Sequence, residues 1–119
     1  MKSAHSPFQA ADLDDMLARA KAAPDGYVAH VVSSGLLSVG LYTLGVGGVD
    51  DQTPHMEDEV YYTVRGRAVL HVEGEEHPVE QGSLLFVPAR AVHRFHDIAE
   101  ELVLLVFWAP PEGSVSQRA

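Results

Sequence analysis

The sequence contains no cysteine, which excludes a disulfide framework, thiolate catalysis and a metal ion held by thiolates. It also lacks any apolar run close to the roughly 20 residues that a membrane-spanning helix requires. Residues 1–8 carry one lysine and no apolar stretch, which argues against a secretory signal. From these absences we expect a protein of the reducing cytoplasm without a membrane attachment.

Positive charge is also scarce. Eight Lys and Arg residues face 17 Asp and Glu residues, which gives a formal net charge of −9 at pH 7. This balance repels phosphate groups, so we expect neither nucleic acid nor an anionic membrane as a partner. Seven histidines are present. Because thiols are absent, histidines and carboxylates are the candidate ligands for a tightly bound metal ion.

The chain has 119 residues, of which 46% are hydrophobic, and this is enough for one domain with its own core. Apolar residues recur at helical spacing from Leu13 to Ala20, and Pro24 follows them. We therefore predict one short amphipathic helix over residues 9–23. Residues 1–8 are predicted to form a flexible arm, residues 27–109 the folded β domain, and residues 110–119 a tail.

The β domain is predicted from short runs rich in Val, Leu, Tyr and Phe that alternate with turn residues. The predicted strands are residues 27–32, 36–44, 59–64, 68–72, 84–87, 92–96 and 102–108. Gly66 and Gly82 are predicted to supply the positive φ of hairpin turns. Many short strands without a βαβ rhythm are typical of a small antiparallel barrel or sandwich, so the fold class is all-β.

The first candidate site is the acidic stretch around His55. If this stretch is extended, His55, Glu57 and Glu59 share one face, because strand side chains alternate. A bulge near the start of the strand would turn Glu57 aside. The alternative interpretation is a solvated acidic loop. Tyr61 has the parity of Glu59, so its hydroxyl either lines the same pocket, as a candidate catalytic group, or belongs to the core.

The second candidate site is the stretch from His93 to Asp97. His93 and Phe95 share one face of the predicted strand, and His96 takes the other. A single histidine beside Phe95 is also consistent with an ordinary core position. Together with the first stretch, however, it provides two imidazoles and a carboxylate from separate strands, a set that leaves open positions on a metal ion.

Both stretches fit spaced motifs that resemble those of the cupins. The first motif has the form Gly-x5-His-x-His-x3-4-Glu-x6-Gly, and the second has the form Gly-x5-Pro-x-Gly-x2-His-x3-Asn. The matching positions here are Gly47, Thr53, His55, Glu59 and Gly66 in the first motif, and Gly82, Pro88, Arg90, His93 and Asp97 in the second. The resemblance implies a small single-domain cupin, an antiparallel jelly-roll β-barrel of the RmlC-like, double-stranded β-helix type.

The resemblance also implies a metal site, with one departure. His55, Glu59 and His93 occupy three of the four usual metal positions, whereas Thr53 stands where the first histidine of the motif would be. The fourth ligand is then Thr53, water, Glu57 or Gln52. The implied cofactor is one divalent ion, and these ligand types do not distinguish Fe, Mn, Zn and Ni.

Three functions are compatible with these residues. In the first, the chain is a metal-dependent enzyme that acts on a small oxygen-bearing metabolite, either dioxygenase-like with iron or isomerase- or lyase-like with another ion. In the second, it is a non-catalytic module that binds a metal or a small molecule. In the third, it is a metal-free structural protein. The third function buries carboxylates without a cation, at a cost of roughly several kcal/mol each.

The sequence finally predicts a homodimer. The early strands carry more apolar residues than one face of a small barrel can hide, and a patch paired with its twin across a two-fold axis would bury the excess. The residues expected at this interface are Val28, Val31, Val32, Leu36, Leu37, Val39, Leu41 and Leu44. Phe107 and Trp108 are interpreted as packing in the core or at the dimer interface.

Overall fold

The structure is a computed structural model that describes residues 7–51 and 54–115. Most of the predicted arm, the end of the predicted tail and the two ligand candidates Gln52 and Thr53 lie outside the described residues. The elements are α1 (Leu13–Ala22), β1 (Tyr27–Ser33), β2 (Ser38–Leu44), β3 (Asp58–Val72), β4 (Glu75–Glu80), β5 (Leu84–Val87) and β6 (His93–Ala109). No helix in the described ranges has the length and apolar character needed to cross a membrane.

The six strands form one antiparallel sheet in the order β1-β2-β6-β3-β4. β5 also pairs with β3, at residues 59–62, whereas β4 pairs with residues 67–72 of the same strand. The fold class is the predicted one, an antiparallel jelly roll with one short helix. Hydrogen bonding does not close the described strands into a complete ring, because β1 and β4 remain the two ends of the strand order.

In two places, two predicted consecutive strands form one continuous strand, so the predicted breaks between them are wrong. β3 runs through the expected turn at Gly66, and β6 runs through the gap between residues 96 and 102. Gly66 does have a positive φ of 111°, but it lies at a register shift between β3 and β6 rather than in a hairpin turn. The bulges bend the long strands, so a single strand contributes to both halves of the curved sheet.

β4 was not predicted. Its sequence, EEHPVE, has one buried residue, Val79, and therefore shows no alternation of apolar side chains. The strand forms because its backbone continues the hairpin at Glu73 and Gly74 and pairs with β3 from Val72 to Arg67. Backbone pairing at a sheet edge needs no apolar face, so periodicity could not detect it.

The helix covers the outer face of the sheet as expected, although it begins at Leu13 rather than at residue 9. Met16 and Ala20 are buried against Leu41 and Val103, and Val28 packs at the edge of this cluster. The helix therefore already covers part of the apolar surface that the sequence assigned to a dimer interface. The larger core lies on the inner face and includes Leu70, Phe95, Leu102, Leu104 and Trp108.

Candidate functional site

The centre of the candidate site is a buried contact between His93, at the start of β6, and Glu59, near the start of β3. His93 Nε2 lies 3.0 Å from Glu59 Oε1, and each side chain is 1% exposed. The other ring nitrogen, Nδ1, donates to the carbonyl oxygen of Ala91 at 2.9 Å. The ring orientation is thus fixed by the backbone, and Nε2 is directed at the carboxylate.

His93 and Glu59 form an ion pair. Burial lowers the pKa of His93, but its hydrogen bonds to Glu59 and to the Ala91 carbonyl, with the charges of Glu59 and Asp50, outweigh burial and leave the pKa above its ordinary value. A shared proton therefore lies between His93 Nε2 and Glu59 Oε1. Glu59 Oε2 is buried and has no hydrogen-bond partner among the described residues. An unsatisfied buried acceptor of this kind costs about 1–3 kcal/mol, and a charged one costs more.

Tyr61 completes this inner group. Its side chain is buried, and its hydroxyl lies 3.2 Å from His93 Nε2. Its ring also packs edge-on against Phe95, with 5.0 Å between the ring centroids. The predicted parity of Tyr61 with Glu59 is therefore correct, and the phenol stands beside the candidate ligands.

His55 lies at the edge of the same group, on the segment that precedes β3. It is half-buried, and its ring centroid is 6.3 Å from that of His93 and 6.0 Å from that of Trp108. The His55 carbonyl accepts a hydrogen bond from the Arg90 backbone at 2.7 Å, which ties this segment to the loop before β6. The structure thus brings His55, Glu59 and His93 to one end of the inner face.

Glu57 lies just before β3, which begins at Asp58. The Glu57 side chain is buried, and its Oε2 accepts a hydrogen bond from the backbone of Val115 at 3.1 Å. Its role as a fourth ligand stays a prediction. Among the described residues, no three His, Asp or Glu side chains are placed to hold a metal ion as they stand.

His96 lies away from this group, as its parity predicts. Its Nε2 is 2.7 Å from Glu76 Oε1 on β4, and its Nδ1 is 3.3 Å from the exposed carboxylate of Asp97. A second histidine, His71, contacts the other oxygen of Glu76. These side chains form a surface cluster on the outer face, and His96 is therefore a suitable control for substitutions at His93.

A cleft of about 520 Å³ opens beside His55. Its lining is mostly aromatic and aliphatic, with two carboxylates: Pro24, Asp25, Tyr27, Tyr42, Leu44, Val49, Asp51, His55, Tyr61, Val106 and Trp108. The Tyr27 ring packs edge-on against Tyr42 and against Trp108, with 5.7 Å between the centroids in each case. Tyr27 OH and Trp108 Nε1 are buried donors without a hydrogen-bond partner among the described residues.

The position of Tyr42 in this cleft is fixed by Asp50, a buried carboxylate on the loop after β2. Asp50 Oδ1 accepts from the Tyr42 hydroxyl at 2.9 Å, and Oδ2 accepts from the backbone of Phe95 at 2.8 Å. Burial and the carboxylates of Asp50, Asp51 and Asp25 raise the pKa of Tyr42, so its phenol remains a donor. The loop is thereby anchored to the sheet at the cleft wall.

The sequence did not predict the cleft residues Asp25, Asp51, Tyr27 and Tyr42. The carboxylates come from loops, and the tyrosines were counted within strands without a role. One signal was available, because a hairpin of the two early strands sets Tyr27 opposite Tyr42. Trp108 is in the core, as the sequence suggested, but one side of it also lines the cleft.

Comparisons with known proteins identify the family to which this fold corresponds. The cupin domain family matches residues 40–109. The uncharacterized protein SCO3923 of Streptomyces coelicolor is 45% identical over 99 residues, which are 83% of this chain and 94% of that protein. The crystal structure of TT1209 from Thermus thermophilus is 31% identical, with a TM-score of 0.69 over 87% of this chain and 98% of that one. The DMSP lyase DddQ from Ruegeria pomeroyi DSS-3 has a TM-score of 0.61 at 21% identity, over 70% of this chain and 41% of that one.

Proposed function

The chain belongs to the cupin domain family, and from this premise we propose that it binds one divalent metal ion through His55, Glu59 and His93 and acts on a small oxygen-bearing metabolite in the adjacent cleft. The observation that carries the proposal is the buried pair of Glu59 and His93, in which one carboxylate oxygen has no partner among the described residues.

Three features of the donor set support a metal ion. A metal-ligating histidine commonly donates its second ring nitrogen to a carbonyl or carboxylate, and His93 Nδ1 makes this bond with Ala91. Glu59 has a spare acceptor oxygen, and His55 brings a second imidazole to the same end of the sheet. A proton shared between His93 Nε2 and Glu59 Oε1, 3.0 Å apart, links the two groups that would ligate the ion. Metal binding would release that proton, because a ligating imidazole must be neutral.

A divalent ion held by these residues would supply a Lewis acid that polarises a substrate oxygen. The chain itself supplies the surroundings. The Tyr61 hydroxyl, 3.2 Å from His93 Nε2, is placed to hold a proton beside the ligand set, and Trp108 and Val106 exclude water from the cleft wall. The same fold hosts a lyase in DddQ, which supports a lyase-like or isomerase-like reaction as readily as an oxygenase-like one.

The test is the metal content of protein purified without added metal. We expect about one divalent ion per chain in the wild type and a loss of tenfold or more in Glu59→Gln, which preserves the shape of the side chain. His55→Ala should show a similar loss. His96→Ala is the matched control, because His96 contacts Glu76 on the outer face, and it should retain the metal. Circular dichroism would verify that each variant is folded.

Two results would contradict the metal site. One is full metal content in a folded Glu59→Gln variant, and the other is a metal-free wild type that also fails to take up added Fe, Mn, Zn or Ni. Proton release on metal titration, absent in Glu59→Gln, provides an independent readout of the same residues. A protein that holds metal but converts no substrate in a screen with each ion would be a non-catalytic binding module.

A further inference from the structure

The cleft beside His55 is lined by acidic side chains without basic ones among the described residues. The fully charged side chains among its lining residues are Asp25 and Asp51, and no lysine or arginine of the described chain lines it. Carboxylates that do not line the cleft also affect the ionisation of one of its tyrosines. Burial raises the pKa of Tyr27 above its ordinary value, and the charges of Glu112, Glu59, Asp25 and Glu57 raise it further. The carboxylates of Asp25 and Asp51 therefore disfavour an anionic ligand in the cleft.

The walls of the cleft are aromatic. Tyr27 stands nearly perpendicular to Tyr42, at 86°, and to Trp108, at 79°. In each of these pairs the edge of one ring meets the face of the other, and all three rings also line the cleft. A cation is attracted to the faces of Trp and Tyr rings, and this attraction is largest where water is excluded.

The orphaned donors add a second requirement. Tyr27 OH and Trp108 Nε1 each carry a hydrogen but have no acceptor among the described residues. Both atoms are buried, so their acceptor is an ordered water or a ligand oxygen that reaches them through a shift of the cleft wall. A ligand that satisfies both features carries a positive charge and a neutral oxygen.

We propose that the cleft binds a small organic cation that also carries a hydroxyl or carbonyl oxygen, such as a quaternary amino alcohol. Its charge would lie between the Asp25 and Asp51 carboxylates and the rings of Tyr27, Tyr42 and Trp108. This proposal rests on the proposed function only in taking the same cleft as the substrate site. It does not require that the metal be bound.

The experiment uses the fluorescence of Trp108, the one tryptophan of the chain, as the report of occupancy. Full-length protein treated with chelator is titrated with choline, with its neutral isostere 3,3-dimethylbutan-1-ol and with the anion 3,3-dimethylbutanoate. We expect saturable binding of choline at least about tenfold tighter than binding of the neutral alcohol. Tetramethylammonium, which keeps the charge but lacks the oxygen, should bind several-fold more weakly than choline. The anion should not saturate.

Two substitutions assign the charge preference to the cleft. Asp51→Asn and Asp25→Asn should each weaken choline binding by about threefold or more and leave the neutral alcohol unchanged. Asp97→Asn is the matched control, because Asp97 is 80% exposed beside His96 and outside the cleft. Equal binding of choline and its neutral isostere, or an equal effect of all three substitutions, would overturn the proposal.

The outcome is separable from that of the metal test. If the metal loads as expected but the cleft shows no preference for a cation, the ligand class is wrong and the metal site stands. If choline binds selectively while Glu59→Gln leaves the metal content unchanged, the ligand class stands and the metal site is wrong. Asp51→Asn should retain the full metal content. This result would show that cation binding in the cleft and metal binding depend on different residues.

Discussion

Gly66 makes a close backbone contact that a single methyl group would break. It lies within β3 at a register shift against β6, with φ of 111°. A Cβ atom at this position would lie 2.3 Å from the carbonyl oxygen of Glu101 and 2.6 Å from the Cα of Leu102. Both neighbours are backbone atoms of the paired strand, so neither can move aside by a change of rotamer. Gly66→Ala must therefore shift one strand relative to the other.

The expected cost of Gly66→Ala has two parts. An unfavourable positive φ costs a non-glycine residue about 1–3 kcal/mol. Overpacking in a well-packed region costs about 1–3 kcal/mol more. The sum, about 2–6 kcal/mol, is a large part of the roughly 5–15 kcal/mol that stabilises a typical domain. For a chain of this size it corresponds to a fall in Tm of about 8–24 °C, at about 4 °C per kcal/mol.

Thermal and urea denaturation followed by circular dichroism measure this cost, and Gly74→Ala is the control. Gly74 also has a positive φ, of 86°, but an added Cβ would meet nothing within 4 Å. Gly74→Ala should therefore show the backbone cost alone, about 1–3 kcal/mol. If Gly66→Ala destabilises the protein no more than Gly74→Ala does, the close approach to β6 does not restrict the site, and the argument from packing is refuted.

Three further predictions concern the metal, the surface charges and assembly. A chelator should lower the Tm of verified metal-loaded protein, because a ligand that binds only the folded state at a hundredfold excess over Kd adds about 2.7 kcal/mol to the free energy of unfolding. An unchanged Tm would contradict a metal site that is coupled to folding. Glu101 contacts Lys21 and Arg65 at 3.2 Å each, and although burial raises its pKa, these two partners lower it below the ordinary value. The stabilisation by Glu101 is thus present above the unfolded pKa near 4.3 and is lost as the pH falls through the folded pKa. In urea titrations, Glu101→Gln should therefore lower the free energy of unfolding by at most about 1 kcal/mol at pH 7 and by progressively less below pH 4. We also propose a homodimer in which a second copy covers the apolar side chains of Leu84 and Phe86, which are 70% and 62% exposed. Sedimentation should show that Phe86→Lys dissociates this dimer. A wild-type monomer of 12.9 kDa at micromolar concentration would refute the proposal.

The fold was predictable where burial imposes a period on the sequence. The helix shows it at Met16 and Ala20, and the strands show it where every second residue enters the core, as in β5 with Leu85 and Val87 buried. The boundaries were not predictable at Gly66, because a glycine at a bulge and a glycine in a hairpin turn have the same local sequence. The distinction depends on which strand lies opposite, and this is a tertiary property.

The site was predictable to the extent that it lies on strands. The parities of Tyr61, His93 and His96 follow from alternation within β3 and β6, and the structure agrees with each of them. Strand alternation alone does not place Glu57, because the segment before Asp58 is not a strand. Its carboxylate accepts from the backbone of Val115, a contact between residues 58 positions apart.

The dimer interface expected from composition illustrates the same limit. The excess of apolar residues in the early strands was correctly recognised, but α1 packs on Val28 and Leu41 and uses part of that surface within one chain. Leu36 and Leu37 of the predicted interface remain exposed, and further apolar side chains are exposed on the neighbouring strands, at Tyr62, Leu84, Phe86 and Phe107. Val60 joins two of these, since it is paired with Phe86 on one side and with Phe107 on the other. Composition counts apolar residues, whereas the position of a helix decides which of them remain exposed.

The buried pair of Glu59 and His93 is not explained by stability alone. Removing two charges from water costs several kcal/mol per ion, and well-packed apolar residues in their place are often as stabilising or more so. Here the pair is also incompletely satisfied, because Glu59 Oε2 has no partner among the described residues. The hydrogen bond from His93 Nδ1 to the Ala91 carbonyl orients the ring so that Nε2 faces Glu59. We propose that the core accepts this cost because the pair, beside the cleft residues His55 and Tyr61, binds a ligand.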